Sequence, residues 1–147
     1  MAGDMHVSVV PKEHVSQIWD KVIPFVEGAA DYTNGRYATE DVYDLIMKYD
    51  YLLWIAFDDD GICGAVVTYF ATYPRKRTLT VMFLGGENMW AWKEAMLTTL
   101  NRWAADNECE TIEASGRPGW TRVLRSDGFT PLWQTFELPV TPNEVEA

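Results

Sequence analysis

The chain has 147 residues, of which 48% are hydrophobic and 23% are charged, as expected for one globular domain. Its 12 lysines and arginines against 22 acidic residues give a net charge of −10. Such a surface repels nucleic-acid phosphates and anionic lipid heads, so we expect neither a nucleic-acid nor a membrane partner. The 2 cysteines form no Cys-x-x-Cys pair or Cys/His cluster, which argues against a metal site. The N-terminus lacks a signal-peptide pattern, so we expect a cytoplasmic protein.

The first elements are a strand and two helices. Alternating β-branched residues predict a strand from His6 to Val10. An apolar stripe from Val15 to Val26 predicts a helix, which Pro24 should kink or shorten. Thr39, followed by two acidic residues, predicts the N-cap of a second helix that ends near Tyr49.

Three strands come next. Apolar runs from Tyr51 to Phe57 and from Ile62 to Tyr73 flank the turn signal of Asp58 to Gly61, so they predict a hairpin. A third strand is predicted from Thr78 to Leu84, and Gly85-Gly86 ends it.

A long amphipathic helix is predicted from Met89 to Asp106. Thr111 to Ala114 is a predicted short strand, Trp120 to Ser126 a short helix, and Phe129 to Leu138 a final strand. A strand–helix–strand unit after a meander requires a parallel pair inside a mixed sheet. The helix should pack on that sheet through five apolar side chains, those of Met89, Trp92, Met96, Leu100 and Trp103.

The order of elements from about His6 to Leu138 resembles that of the GNAT N-acetyltransferases. Glu94 to Ala104 looks like the acetyl-CoA helix of that superfamily, and Leu124 to Phe129 resembles its closing signature, in which a short helix runs into Gly-Phe. Glu113 to Trp120, with the following Gly128-Phe129, is similar to small GNAT-like proteins of tailed phages. The resemblance implies an α/β acyltransferase fold with a mixed sheet over residues 1–138. Two prolines, acidic side chains and the lack of a period predict an acidic, flexible tail over residues 139–147.

In that superfamily the pyrophosphate of acetyl-CoA binds backbone N–H groups in an Arg-Gly-x-Gly-x-Gly/Ala loop at the start of the long helix. The matching positions, Asn88 to Lys93, lack the arginine and the glycines, and Glu87 adds a negative charge. Gly85-Gly86 is an alternative source of flexibility. The resemblance therefore implies a weakened acetyl-CoA site formed by Leu84, Gly85, Gly86, Asn88, Met89, Trp90, Arg117 and Arg122.

The resemblance also implies a base and an acid. The superfamily uses a carboxylate to deprotonate the amine and a tyrosine, four residues before the final glycine, to protonate the leaving thiolate. That tyrosine position is Leu124, which cannot donate a proton. We expect Glu113 as the base and Tyr69 or Tyr73 as a substitute acid. The alternatives are a Glu113 that binds Arg117 or a backbone amide, and tyrosines that are ordinary core or surface aromatics.

Two functional hypotheses follow. One is a phage-type GNAT-fold protein with decayed catalytic residues, acting in the host cytoplasm or the virion by binding a protein partner or by self-association. The absent glycines and the 7 tryptophans favour it, with Trp90 as the expected contact. The other is an acetyl-CoA-dependent N-acetyltransferase with an atypical cofactor loop, acting on a small amine or a peptide.

Overall fold

The computed structural model describes residues 4–116 and 121–142. The chain divides into two compact units, residues 1–115 and residues 116–147. No helix of the described ranges is long and apolar enough to cross a membrane. The elements are strand β1 (His6–Val9), helix α1 (Lys12–Ala30), a 3-10 turn (Asp31–Thr33), helix α2 (Thr39–Lys48), strands β2 (Leu52–Asp58), β3 (Gly61–Tyr73) and β4 (Lys76–Gly86), helix α3 (Met89–Asp106), strand β5 (Thr111–Ala114) and, in the second unit, helix α4 (Thr121–Ser126).

The first unit contains a five-stranded sheet with the order β1-β2-β3-β4-β5. The first three pairs are antiparallel, and β4 and β5 are parallel. Helix α3 connects the parallel strands, as a crossover in the same sheet requires. The mixed sheet with one parallel pair is therefore confirmed.

The sheet separates two apolar clusters because successive side chains of a strand point to opposite faces. On the first face, which we call the α1/α2 face, Val67 and Phe83 pack with helices α1 and α2. On the second, the α3 face, Val66 and Leu79 pack with helix α3. The fully or nearly fully buried residues of α3 are Trp92, Met96, Leu100 and Ala104, whereas Met89 and Trp103 are only half-buried.

Two sequence predictions, one about a helix and one about the last strand, were wrong, and a third is answered in part. Helix α1 is not shortened at Pro24 but continues to Ala30, with Val22 and Val26 on either side buried against the sheet, and a kink at Pro24 stays a prediction. Helix α2 has Ala38 rather than Thr39 at its N-cap, and the carboxylate of Asp41 accepts the Ala38 N–H at 2.9 Å.

The predicted final strand from Phe129 to Leu138 is absent from the described residues. Positions 129–142 belong to no helix or strand, and those from 130 onward are all exposed. Alternating apolar residues form a strand only where a neighbouring strand pairs with them, and none of the strand pairs involves this segment. The expected division into residues 1–138 and 139–147 stays a prediction.

Two glycines make room for the buried indole of Trp92. Gly64 of β3 and Gly86 of β4 are cross-strand partners. A Cβ atom on Gly64 would lie 2.5 Å from Cζ2 of Trp92, and one on Gly86 would lie 2.8 Å from the same atom. The indole N–H donates to the Glu87 carbonyl at 2.9 Å, so the ring is fixed by both packing and a hydrogen bond. Trp92 thereby fastens the start of α3 to the end of β4.

We expect Gly64→Ala to lower the free energy of unfolding by about 1–3 kcal/mol, because the added methyl group overpacks a ring that cannot move away. Urea denaturation followed by circular dichroism measures this change. Gly28→Ala is the matched control, since a Cβ at Gly28 in α1 meets nothing within 4 Å. The control should be stabilised by about 0.5–1 kcal/mol. An unchanged stability of Gly64→Ala would contradict the packing described for Trp92.

Candidate active site

Strand β5 ends part-way along β4, and we call this point the parting. β5 pairs with β4 only from Thr78 to Val81, whereas β4 continues to Gly86. The next residue, Met82, is a bulge, because Val81 faces Thr68 and Phe83 faces Val67 on β3. Beyond the bulge β4 has no strand neighbour on its β5 side within the described residues.

A row of side chains crosses the α1/α2 face just before this parting. Tyr69 of β3 pairs with Thr80 of β4, and Thr80 pairs with Glu113 of β5. The ring of Tyr51 stacks on the ring of Tyr69 with centroids 4.7 Å apart. Thr80 is buried, and its hydroxyl lies 3.1 Å from that of Thr78. The sequence therefore assembles an aromatic pair, hydroxyl groups and one carboxylate in adjoining strands.

Tyr73 contacts the carboxylate at the end of this row. Its Oη atom lies 3.5 Å from Oε2 of Glu113, at the outer limit of a hydrogen bond. The charge of Glu113, with smaller contributions from desolvation and Tyr69, raises the pKa of Tyr73 above its ordinary value of 10.0. Tyr73 therefore holds its proton at neutral pH beside a proton acceptor. The alternative interpretations of Glu113 gave it Arg117 or a backbone amide as its partner. Neither of them included this contact with Tyr73.

Two further tyrosines, Tyr51 and Tyr37, lie on this face. Burial, followed by the charges of Tyr69 and Tyr37, raises the pKa of Tyr51. Tyr37, which is 36% exposed, packs edge-on against Phe83, with ring centroids 5.6 Å apart. The rings of Tyr51, Tyr69 and Tyr37 thus lie near one another on the α1/α2 face.

Gly85 and Gly86 lie inside β4 rather than in a loop. They pair with Ala65 and Gly64 of β3. A Cβ on Gly85 would collide with the backbone carbonyl of Phe25 in α1. Close packing thus accounts for both glycines, and a role for them in phosphate binding stays a prediction.

The start of α3 has no glycine loop. Only Glu87 and Asn88 separate it from β4. Asn88 occupies the N-cap in the left-handed conformation, with φ of 50°, and its side chain makes no capping hydrogen bond. Trp90 is 71% exposed, and Nζ of Lys93 lies 4.5 Å from the centroid of its ring. The first turn of α3 contains no acidic residue, and the exposed ring of Trp90 lies within it.

The predicted site residues thus fall into separate groups. Glu113, Tyr69 and Tyr73 come together on the α1/α2 face. Met89 and Leu84 are half-buried in the cluster of the α3 face. Arg122 is exposed in α4 of the second unit, and Arg117 lies outside the described residues. The described residues contain no group of three or more His, Cys, Asp or Glu side chains that could hold a metal ion.

Sequence reasoning missed Tyr51, Thr80 and the bulge at Met82. Tyr69 and Tyr73 lie four residues apart on one strand. Because every second side chain of a strand points to the same face, this spacing does indicate that the two tyrosines share a face. No local pattern marks the register that brings Thr80 between Tyr69 and Glu113. That register depends on long-range strand pairing.

Comparisons with known proteins identify the fold. No protein-family model matches the chain, and no curated protein matches its sequence. Similar solved structures include an aminoglycoside acetyltransferase from an uncultured soil metagenomic sample in complex with sisomicin, with 15% identity, a TM-score of 0.65 and coverage of 95% of this chain and 97% of that one. Aminoglycoside N-acetyltransferase AAC(6')-Iy in complex with CoA has 15% identity, a TM-score of 0.66 and the same coverage.

A predicted acetyltransferase from Clostridium acetobutylicum, solved with acetyl-CoA, also matches, with 15% identity, a TM-score of 0.65 and coverage of 92% of this chain and 96% of that one. At this identity the likeness establishes the fold alone. The chain has the mixed α/β fold of the GNAT acyltransferases.

Proposed function

We propose that the protein is an acetyl-CoA-dependent N-acyltransferase in which Glu113 is the base and Tyr73 is the acid. The contact between Tyr73 Oη and Glu113 Oε2 at 3.5 Å carries this proposal. The contact lies one residue pair before the last pair that joins β4 and β5. A carboxylate and a phenol in contact provide a proton acceptor and a proton donor at one place, as acyl transfer to an amine requires.

The proton transfers balance when the acceptor enters as an ammonium group. Glu113 takes one proton from it, which frees the nitrogen lone pair, and the nitrogen then attacks the thioester carbon of acetyl-CoA and forms the C–N bond. As the C–S bond breaks, Tyr73 gives its proton to the departing thiolate and receives one back from Glu113 across their contact. The second nitrogen proton leaves to solvent as the amide forms, so the pair returns to its starting state and one proton is released.

The residues around the parting partly fit acetyl-CoA. The edge of β4 from Met82 to Gly86, which pairs with no strand on its β5 side among the described residues, would offer backbone groups to the amides of the cosubstrate, in the way that a sheet edge pairs with an extended chain. The first turn of α3 offers N–H groups and a positive dipole to the pyrophosphate. Glu87 and the bulky Trp90 oppose phosphate approach at the same place, so we expect weaker binding than a glycine loop would give.

We propose a small cationic amine as the acceptor. The net charge of −10 attracts cations, and the stacked rings of Tyr51 and Tyr69 offer a π-face beside the carboxylate of Glu113. Among the similar structures, one aminoglycoside acetyltransferase is complexed with sisomicin.

We expect Glu113→Gln to lower kcat/KM for acetyl transfer by about 100-fold or more, because the amine loses its base. Thiol release from acetyl-CoA with a panel of small cationic amines measures the rate. Calorimetry should give an unchanged dissociation constant for acetyl-CoA, since Glu113 acts on the amine. Glu110→Gln is the matched control, because Glu110 is exposed just before the same strand. An equal rate in both variants, or the absence of acetyl-CoA binding, would refute the proposal.

The coupling of the pair has its own test, which does not depend on turnover. In Glu113→Gln the pKa of Tyr73 should fall toward its ordinary value, because the largest cause of its rise is the charge of Glu113. Nuclear magnetic resonance of the Cζ carbon of Tyr73, assigned with Tyr73→Phe, follows this titration. The pKa of Tyr51, which burial, Tyr69 and Tyr37 raise, should be the same in both proteins. If the pKa of Tyr73 is the same with and without the substitution, the two groups do not interact in solution.

A second candidate function is binding of a protein partner by a phage-type protein in the host cytoplasm or the virion. The exposure of Trp90 favours it, because exposed tryptophans beside polar residues are typical anchors of protein interfaces. If the protein has this function, Trp90→Ala should weaken partner binding and keep the melting temperature within a few degrees of that of the unsubstituted protein. A large fall in melting temperature with unchanged association would instead make Trp90 a structural residue.

A further inference from the structure

Three consecutive basic residues lie where β3 turns into β4. They are Arg75, Lys76 and Arg77, three of the 12 lysines and arginines in a chain whose net charge is −10. Arg75 belongs to the turn, and the other two begin β4. Arg75 and Lys76 are exposed, and Arg77 is half-buried. Within the described part of the chain none of the three forms an ion pair with an acidic residue. The proposed acyl transfer does not use this concentration of positive charge.

Arg77 is held on its apolar side and has an unpaired edge on its polar side. It lies on the α3 face, since Leu79, two residues later, is buried there. Its Cζ atom lies 4.3 Å from the centroid of the Phe70 ring, which is a cation–π contact. Nη1 donates to Oγ1 of Thr72 at 3.3 Å, slightly longer than a usual N–H···O bond. Nε is buried and has no acceptor among the described residues.

A second unpaired donor lies in the same aromatic cluster. The ring of Trp103 stacks on the ring of Phe70 with centroids 6.3 Å apart. The Nε1 atom of Trp103 is buried and, like Nε of Arg77, finds no acceptor in the described ranges. A buried N–H group without an acceptor costs free energy, so both donors favour the binding of an acceptor. The two donors belong to side chains that contact one ring, that of Phe70.

We propose that the start of β4 is a binding site for phosphate, free or as the end group of a small molecule. The Nε and Nη2 edge of Arg77 contacts no acceptor among the described residues, and such an edge matches two oxygens of a phosphate. Because the contact of Nη1 with the exposed Thr72 is long, an oxyanion can replace it. Arg75 and Lys76 add two exposed cations beside this edge. A cluster of three cations favours a phosphate dianion over a carboxylate, which carries a single charge.

This phosphate site is separate from the proposed site for acetyl-CoA. Strand β4 has 11 residues, so at about 3.3 Å per residue Lys76 lies about 30 Å from Gly86 and the start of α3. Arg77 also lies on the opposite face of the sheet from the contact between Tyr73 and Glu113. The inference therefore does not depend on acyl transfer. The exposed Glu110, whose backbone N–H donates to the carbonyl of Arg77 at 2.9 Å, adds an opposing charge.

A nuclear magnetic resonance titration with inorganic phosphate at constant ionic strength tests the site. The Nε–H resonance of Arg77 and the indole N–H resonance of Trp103 should shift and saturate together. Arg77→Lys keeps the charge but loses the paired N–H groups, so it should raise the dissociation constant for phosphate by about 10-fold. Glu110→Gln should lower it by about 2-fold, because an opposing charge is removed. Arg125→Gln, which changes an exposed arginine of the second unit, is the control and should bind phosphate like the unsubstituted protein.

Other anions and a circular dichroism spectrum complete the test. Arg77→Lys should keep the spectrum of the unsubstituted protein, and acetate should bind more weakly than phosphate. Glycerol 3-phosphate that binds as tightly as phosphate would identify an end group as the ligand, and weaker binding would identify free phosphate. Equal shifts with chloride would overturn the proposal, and so would phosphate binding that Arg77→Lys leaves unchanged. Nuclear Overhauser contacts of both N–H groups with water that phosphate does not alter would show that these donors are only hydrated, which also overturns it.

Discussion

Strand β4 pairs with β3 from Lys76 to Gly86 but with β5 only from Thr78 to Val81. This unequal pairing is the constraint on which the candidate site depends. Up to Val81, the parallel register fixes Glu113 beside Thr80 and in line with Tyr69. Beyond the bulge at Met82 the same strand has no neighbour on its β5 side among the described residues. One strand thus orders the candidate acid–base pair, and under the proposed function its far end would bind the cosubstrate.

The packing of Trp92 fixes the start of α3 to the end of β4. The indole occupies the space that Gly64 and Gly86 leave, and its N–H donates to the carbonyl of Glu87. The chain therefore stabilises the junction by burying an aromatic ring. Under the proposed function, acetyl-CoA affinity at this junction would depend on the first turn of α3 and on the opposing charge of Glu87.

Local patterns predicted most elements of the fold, because β3, α3 and β5 each show a clear period in the sequence. They also predicted the parallel pair, since a helix that joins two neighbouring strands of one sheet requires it. They failed for Phe129 to Leu138. Its residues alternate as in a strand, but a strand also needs a neighbouring strand to pair with, and the local sequence does not show whether there is one. For the site, they nominated Glu113 and Tyr73 separately. To predict their contact and the row through Thr80, one would have to know the register of three strands, and no local period in the sequence determines that register.

The candidate base lies on the shortest of the strands around the site. β5 has four residues and pairs on one side only within the described chain, so its backbone is held by few hydrogen bonds. Tyr73 is 44% exposed, so water competes for its contact with Glu113. A ligand bound against this contact would reduce the access of water. Because a drier contact strengthens the interaction between a charge and a hydrogen-bond donor, substrate binding would then strengthen the interaction between Tyr73 and Glu113.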